Sequence, residues 1–300
     1  MKSKVLFFSK MALALSIVSL AFLSSSGFGK ARATSEEINP VFLPVIIKHW
    51  PPPSPDPVEM VLIPAGEFLM GCDPDHNGGY PCTADELPLH TVYLDAYLID
   101  KYPVTNARYA KCVEAGLCAL PVYNFSCSRS SYYDNPAYAD FPVIWINWYS
   151  ASYYCLWAGK HLPAEAQWEK AARGSTDTRA YSWGDQLPNC SLANTYNNSG
   201  SNYCIGDTSA VGSYPLGASP YGVMDMIGNV WEYTSDWYSE DYYSVSPYKN
   251  PTGPETGTNR VMKPSGWRNP WDVVRLANRN GYFSPDIAAC DQGFRCAKSP

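Results

Sequence analysis

The segment at residues 221–232 reads Tyr-Gly-Val-Met-Asp-Met-Ile-Gly-Asn-Val-Trp-Glu. Gly228 and Asn229 are turn-forming residues, and the apolar positions follow neither the two-residue period of a strand nor the 3.6-residue period of a helix. Much of the chain has the same character, rich in Gly, Pro, Asn, Ser and Tyr. A domain of this kind is predicted to hold its shape through disulfides, bound ions and aromatic packing more than through long ladders.

Short regular elements surround this irregular part and predict an α+β fold. Apolar alternation indicates strands, a proline suits the first position of a helix, and a glycine ends one. The predicted strands are Met60–Pro64 and His90–Leu94, and the predicted helices run from Thr105 to about Val113, from Ser150 to Trp157, and from Pro163 to a stop at Gly174.

The first 57 residues form two predicted segments outside the domain. Residues 1–33 combine three lysines before residue 11, an apolar run over residues 11–23 and an Ala-Arg-Ala sequence ending at Ala33, a pattern typical of a signal peptide. A membrane anchor needs about 20 apolar residues, and serines end this run sooner. Residues 34–57 contain seven prolines and are predicted to be a semi-rigid linker. The apolar segment Val41–Ile47 within it is expected to dock on the domain or on a cell surface.

Residues 58–300 show no repeat and no second linker, so they are predicted to form a single domain. Cleavage after Ala33 removes five basic residues and no acidic one, which changes the net charge from −6 to −11. Because an acidic protein repels phosphate backbones, nucleic acid is not an expected partner. No later segment is long and apolar enough to span a bilayer, so no transmembrane segment is predicted there and a secreted or cell-surface location is expected.

The ten cysteines all follow residue 33, in a chain predicted to fold in an oxidising compartment. An even number in that setting predicts five disulfides and no free thiol. A zinc site is not predicted, because no Cys-x-x-Cys pair is present and the four histidines are scattered.

Seven motifs, in order over about 240 residues, resemble the formylglycine-generating enzyme (sulfatase-modifying factor) family. The resemblance implies a compact, disulfide-rich α+β fold related to C-type lectins, poor in regular structure and carrying bound calcium. Besides the segment at 221–232, the motifs are MVLIPAGEFLMG at 60–71, ELPLH at 86–90, PVTN at 103–106, WAGKHLPAEAQWE at 157–169, WGD at 183–185 and GFRC at 293–296.

The chain departs from this family at the site of its oxidation chemistry. Members that oxidise a sulfatase cysteine bind copper through two cysteines, a few residues apart, after a Gly-Gly-Ser-aromatic motif, and soft thiolates suit Cu(I). The corresponding stretch, Pro264–Arg275, contains no cysteine, and Gly266 stands in place of the serine. Copper is therefore not an expected cofactor, and no catalytic residue is predicted.

A remodelled pocket is predicted where the copper cysteines would lie. Its charged members either line the pocket or form structural salt bridges, and its aromatic members either hold a sugar or a peptide or pack the core. The candidate residues are Trp267, Arg268, Asn269, Trp271, Asp272, Arg275 and Arg279, with Tyr282 and Phe283 as further aromatic side chains.

The resemblance also implies two calcium sites built from hard oxygen ligands. The alternative for the first is that its glutamate pairs with Arg295, and for the second that its Asn and Asp only form turns. The first would use the Asp225 and Glu232 side chains with the Gly228 and Val230 carbonyls, and the second the Asn194 and Asp207 side chains with the Thr195 and Ser209 carbonyls.

A third segment, Asp73–Gly78, places oxygen side chains at alternating positions before a glycine, as in the first half of an EF-hand loop. Ala84 occupies the twelfth position, where that motif has a bidentate glutamate. The alternative to calcium is a tight turn closed by Cys72 and Cys82.

The resemblance extends to the disulfides. Cys155 and Cys296 match one bridge of the family, whereas both positions of another bridge are replaced together, by Ala172 and Leu276. Joint loss leaves no unpaired thiol, which is the sensible pattern for a secreted protein. The complete predicted pairing is Cys155–Cys296, Cys190–Cys204, Cys72–Cys82, Cys112–Cys118 and, by elimination, Cys127–Cys290.

The leading functional prediction is a secreted pseudoenzyme, a calcium-containing binding or accessory module for a peptide, protein or glycan ligand. One alternative is an oxidoreductase of the same family with different metal chemistry. Another is a sulfatase-modifying enzyme, for which Cys290 would have to serve, although one cysteine cannot form a two-thiolate site. Metal analysis separates them, because calcium alone favours binding and stoichiometric copper or iron favours catalysis.

Overall fold

The computed structural model describes residues 59–197, 202–264 and 266–300. The predicted signal peptide and linker, including Val41–Ile47, lie outside these residues. The helices are α1 Asn106–Glu114, α2 Trp148–Trp157 and α3 Glu165–Arg173. The strands are β1 Met60–Ile63, β2 Gly66–Met70, β3 His90–Leu94, β4 Tyr97–Asp100, β5 Tyr196–Asn197, β6 Asn202–Tyr203, β7 Trp231–Trp237, β8 Arg260–Lys263, β9 Gln292–Gly293 and β10 Ala297–Lys298.

Side-chain caps decide where the first two helices begin. The Thr105 hydroxyl accepts a hydrogen bond from the Arg108 backbone N–H at 3.3 Å, so α1 begins where predicted. For α2 the predicted start was two residues too late. Asn147 caps this helix by accepting a hydrogen bond from the Ser150 N–H at 2.9 Å, and Trp148 is already helical.

The third helix begins at Glu165, two residues after the proline predicted to open it. Ala164 has an extended backbone, and its N–H donates to Gln167 Oε1 at 2.9 Å. The Glu165 N–H donates to Asp236 Oδ2, also at 2.9 Å. Side chains thus satisfy two backbone N–H groups that have no partner within the helix. Ala164 is the last extended residue before α3. The helix ends before Gly174, as predicted.

Two three-stranded sheets and two strand pairs form the sheet structure in the described ranges. In one sheet β4 lies between β1 and β10, antiparallel to both. In the other, β7 lies between β8, which is antiparallel, and β9, which is parallel. The pairs Trp231 with Gln292 and Glu232 with Gly293 bring the end of the 221–232 segment beside the C-terminal motif. The predicted strands at residues 60 and 90 are β1 and β3.

Buried ion pairs fasten α3 to the sheets. The carboxylate of Glu169, on this helix, accepts hydrogen bonds from Lys263 Nζ of β8 at 3.0 Å, from Arg173 at 3.1 Å and from the Gly71 N–H at 2.9 Å. These charged side chains are buried. Such groups are tolerated inside a protein only when paired and hydrogen-bonded, so they hold one arrangement of helix and sheet.

The ten cysteines form five disulfides, and the pairing matches the prediction in every case. The bridges of longest sequence separation, Cys127–Cys290 and Cys155–Cys296, tie the C-terminal region to α2 and to the loop before it. Long loops restrict the unfolded chain most. In the chain-entropy account each of these two bridges stabilises the folded state by about 4–5 kcal/mol. The other three bridges are Cys72–Cys82, Cys112–Cys118 and Cys190–Cys204.

Candidate functional site

The 221–232 segment is an irregular loop with four residues in the left-handed region. Gly222, Asp225, Gly228 and Asn229 have φ angles of 81°, 55°, 82° and 65°. A Cβ at Gly228 would collide with the Asn194 carbonyl, and the Asn229 N–H donates to that same carbonyl at 2.9 Å. The two loops predicted to bind calcium therefore contact each other, and glycine is required at the point of contact.

Glu232, at the end of this loop, forms a buried bidentate ion pair with Arg295. Arg295 Nε and Nη2 donate to the two carboxylate oxygens at 2.7 Å each, and Trp168 Nε1 donates at 2.8 Å. Arg295 also donates to the Met224 carbonyl at 2.9 Å. The pairing considered as an alternative to calcium ligation is thus present, and it balances the glutamate charge.

Asp225 retains ligand capacity. Its Oδ2 accepts one hydrogen bond, from the Gly212 N–H at 2.6 Å, and no described residue donates to its Oδ1. Burial raises the pKa of this carboxyl to about 6, with a smaller contribution from the nearby Glu232 charge. A buried carboxylate with an unused oxygen suits a hard cation, so Asp225 fits the predicted calcium site.

The second predicted calcium set has a different environment. Asp207 accepts hydrogen bonds from Ser126 and Ser128 side chains at 2.5 and 2.6 Å, and Arg129 Nη1 lies 3.1 Å from its other oxygen. The Thr195 carbonyl accepts from the Cys204 N–H, and the Ser209 carbonyl accepts from Asn229 Nδ2. Of the oxygens in this set, Asn194 Oδ1 is the one that is buried and has no donor among the described residues. Because serine and arginine donors occupy both oxygens of the Asp207 carboxylate, this set as arranged does not fit a calcium site.

The segment Asp73–Gly78 is a closed turn. Asp73 accepts from the Asp75 N–H at 3.0 Å and from the Thr178 hydroxyl at 2.5 Å. Asn77 Oδ1 accepts from Arg275 at 2.6 Å, and the Cys72–Cys82 bridge closes the segment. Because protein donors bind these oxygens, the geometry favours the tight turn over an EF-hand-like site.

Three arginines predicted near the pocket form ion pairs instead of facing a ligand freely. The pairing is bidentate and buried for Arg275 with Glu86, at 2.9 and 2.8 Å, and for Arg279 with Glu165, at 2.7 and 3.0 Å. The third, Arg268, is half-exposed and lies 2.7 Å from an Asp291 oxygen.

Most of the predicted aromatic residues pack. Trp267 is buried, with its ring centroid 5.0 Å from that of Tyr203. Trp271 donates from Nε1 to the Tyr196 carbonyl at 2.8 Å, and Phe283 packs against the core. Asp272 is exposed and lies outside the cleft that Asn269, Arg279 and Tyr282 line. For these positions the core interpretation holds, because β5 and β6 cover the two tryptophans.

A cleft of about 580 Å³ lies beside this segment, and three predicted residues, Asn269, Arg279 and Tyr282, line it. Several residues that contribute to the cleft were not predicted, because they come from segments far apart in the chain. Only the asparagines flanking Arg279 carried a usable signal, their position next to a predicted residue. The main unpredicted contributors are Asp85, Trp231, Tyr238, Glu240, Asn278 and Asn280.

Hydrogen bonds hold the cleft walls in place. Trp231 Nε1 donates to Asn269 Oδ1 at 2.9 Å, and the Tyr238 hydroxyl donates to Asp85 at 3.0 Å. Burial, and then the Asp85 charge, raise the pKa of Tyr238 well above its usual value, so this phenol stays protonated. The Arg279 guanidinium lies 5.2 Å from the Tyr238 ring centroid. The cleft is a preformed, polar and aromatic surface.

Comparison with known proteins places this architecture. Residues 50–300 match the model of the sulfatase-modifying factor enzyme 1-like domain. The chain is 34% identical over 285 residues to a formylglycine-generating enzyme of Streptomyces coelicolor, covering 79% of this chain and 88% of that protein. It is 35% identical over 264 residues to the serine/threonine-protein kinase pkn1 of Chlamydia pneumoniae, covering 84% of this chain but 40% of that protein.

Among solved structures, PvdO from Pseudomonas aeruginosa superposes with a TM-score of 0.65 at 27% identity, covering 81% of this chain and 95% of that one. No helix within the described ranges is long and apolar enough to cross a membrane. The family model, the identity to the Streptomyces coelicolor enzyme and the superposition agree. This chain belongs to the sulfatase-modifying factor enzyme 1-like domain family.

Proposed function

We propose that this protein is a secreted, calcium-containing binding or accessory module that does not perform copper-dependent cysteine oxidation. One observation carries the proposal. All ten cysteines are in disulfides, and Pro264–Arg275 contains none, so the chain offers no thiolate pair for copper. A fold can be kept while the catalytic residues of its relatives are absent, because activity depends on the site and not on the fold.

The proposed ligand site is the cleft between Asp85 and Tyr282. Its lining is held by hydrogen bonds before any ligand arrives, and preformed polar and aromatic sites lose little entropy on binding. Calcium is proposed at the 221–232 loop, where Asp225 and the Gly228 and Val230 carbonyls would hold it. The Gly228 carbonyl accepts from the Val230 N–H at 2.9 Å and would bind the ion through its second lone pair. There the ion would supply positive charge beside a buried carboxylate.

Other activities in the family have weaker support. Oxidoreductase chemistry with another metal needs a ligand cluster, and within the described ranges the one grouping of such side chains is Cys72, Cys82 and Glu86. Those two sulfurs are bonded to each other, and Arg275 pairs with the glutamate. Kinase activity is not proposed, because this chain spans only 40% of the relative that carries that name.

The test is a formylglycine assay on a sulfatase-motif peptide, read by mass spectrometry, with the Streptomyces coelicolor relative as positive control. We expect no aldehyde above background from this protein, with or without added copper, under conditions where the control converts the peptide. Turnover by this protein would contradict the proposal. Metal analysis of the same preparation should find calcium and no stoichiometric copper or iron.

A further inference from the structure

The cleft presents side-chain amides whose donors are unused. Asn269 Oδ1 accepts from Trp231, and Asn280 Oδ1 accepts from the Tyr282 N–H at 2.9 Å. No described residue accepts a hydrogen bond from the Nδ2 group of either asparagine. Each amide is therefore fixed in orientation by its oxygen and keeps two N–H donors for a ligand.

The charges around the cleft disfavour an anionic ligand. Arg279 is the cation in the lining, and its guanidinium donates to both Glu165 oxygens and to the Asp85 and Ser239 carbonyls. Its charge is thus balanced and its donors are largely engaged. The Asp85 and Glu240 carboxylates add negative charge. A phosphate, sulfate or carboxylate would meet repulsion without a free cation to offset it.

The backbone around the cleft also disfavours an extended peptide. A peptide adds to a sheet through an unpaired strand edge. Here Met262 of β8 is already paired with Asn280, with N–H to carbonyl distances of 2.9 and 3.1 Å in the two directions. The backbone of β8 at Met262 is therefore not free to pair with a peptide strand. The aliphatic side chains in the lining are Ala84 and Val273.

An aromatic side chain at the rim remains uncovered. Tyr282 is 88% exposed, although tyrosine rings in proteins usually bury much of their surface. The hydrogen bond from the Tyr282 N–H to Asn280 Oδ1 fixes the backbone at this position, so the attachment point of the ring is fixed. A flat aromatic face beside amide donors and carboxylate acceptors complements a ring that has apolar C–H faces and hydroxyl edges.

We propose, resting on the assignment of this cleft as the ligand site, that its ligand is an uncharged polyhydroxylated ring, a neutral sugar unit. Its C–H face stacks on Tyr282. Its hydroxyls, which both donate and accept, bind the Asn269 and Asn280 amides and the Asp85 and Glu240 carboxylates.

The experiment measures affinity of the full secreted chain by calorimetry. The probes are neutral trisaccharides of glucose, mannose, galactose and N-acetylglucosamine, sulfated and sialylated counterparts, and uncharged hexapeptides. We expect at least one neutral trisaccharide to bind and the charged counterparts to bind more weakly. Because the contacts involve no ion pair, its affinity should change by less than about twofold between low and high salt.

Variants locate the binding. Tyr282→Ala should weaken the affinity about tenfold, whereas Tyr282→Phe, which keeps the ring, should retain it. Asn280→Asp keeps the acceptor for the Tyr282 N–H but removes two donors, and should weaken binding similarly. Tyr153→Ala removes a 63% exposed tyrosine on α2 and should leave the affinity unchanged. Melting curves check that each variant is folded.

The outcomes separate the two proposals. Binding of a hexapeptide that depends on Tyr282, with no sugar bound, would overturn the sugar inference and keep the cleft as the ligand site. Preference for a sulfated or sialylated sugar would overturn the uncharged class. If no probe binds in a manner that depends on Tyr282 or Asn280, the assignment of the cleft itself fails.

Discussion

At the scale of single residues, the same side-chain types serve different purposes according to their partners. Glu232 and Asp225 belong to one predicted calcium set, yet Glu232 pairs with Arg295 while Asp225 Oδ1 has no donor among the described residues. Replacing Glu232 would leave Arg295 buried without its partner, a loss of about 3–5 kcal/mol whether or not calcium binds. Asp225 is therefore the position at which calcium can be tested cleanly.

Asp236 provides a prediction about pH. Its carboxyl is buried and accepts from the Glu165 N–H and the Ser235 hydroxyl. Burial, and then the Glu165 charge, raise its pKa to about 7, against a smaller opposite effect of Arg279. Because the folded pKa exceeds the unfolded value of about 4, the stability contributed by this group is full below pH ~4 and lost as the pH rises through about 7.

The measurement compares the free energy of unfolding of wild type and Asp236→Asn between pH 5 and 8. Asparagine keeps an acceptor oxygen and carries no charge at any of these values. We expect the variant to gain stability relative to wild type as the pH increases, since only the wild type must ionise a buried group. Curves that run parallel over this range would contradict the pKa.

At the scale of elements, short helices depend on their caps and on buried partners. The ten residues of α2 are too few to be stable alone, so its position depends on the Cys155–Cys296 bridge and on Asn147 at its start. Likewise α3 is bound to the sheets by Glu169 and Lys170, the latter donating to the Pro64 and Gly66 carbonyls at 2.9 and 2.8 Å.

The cap of α2 gives a prediction at this scale. Asn147→Ala removes the acceptor for the Ser150 N–H and should lower the free energy of unfolding by about 1 kcal/mol. Asn147→Ser supplies another capping oxygen and should recover most of that loss. Chemical denaturation of both variants decides the matter, and equal stabilities would mean that tertiary contacts alone fix the start of α2.

At the scale of the whole molecule, covalent cross-links compensate for the small amount of regular secondary structure. Long stretches of irregular chain cost conformational entropy on folding, and the five disulfides reduce this cost by restricting the unfolded chain. The proposed calcium would act similarly, since it joins the 221–232 loop to itself at a place already in contact with Asn194.

Calcium gives the prediction at this scale. An ion that binds only the folded state stabilises it by about 2.7 kcal/mol at a hundredfold excess over its dissociation constant. Chelation should therefore lower the melting temperature, and added calcium should restore it. Asp225→Ala, which removes the side-chain ligand, should abolish this response, whereas Asp286→Ala, the same change at an exposed position, should leave it intact. A wild-type melting curve indifferent to chelator, with no calcium in the protein, would show that the loop is a turn.

Sequence by itself determined the family, the α+β class, the five disulfide pairs and the absence of a copper thiolate pair, because these follow from residue identity and ordered motifs. Only the tertiary structure decided which charges are free. Arg275 and Arg279 look like pocket residues in the chain, but Glu86 and Glu165, nearly 200 and more than 100 residues away, neutralise them. The cleft likewise joins Asp85, Trp231 and Asn280 from three distant segments. Local sequence patterns indicate secondary-structure propensity and the type of ligand atom that a side chain offers. The burial of a side chain and the partner of its charge depend on long-range contacts that form only in the folded structure.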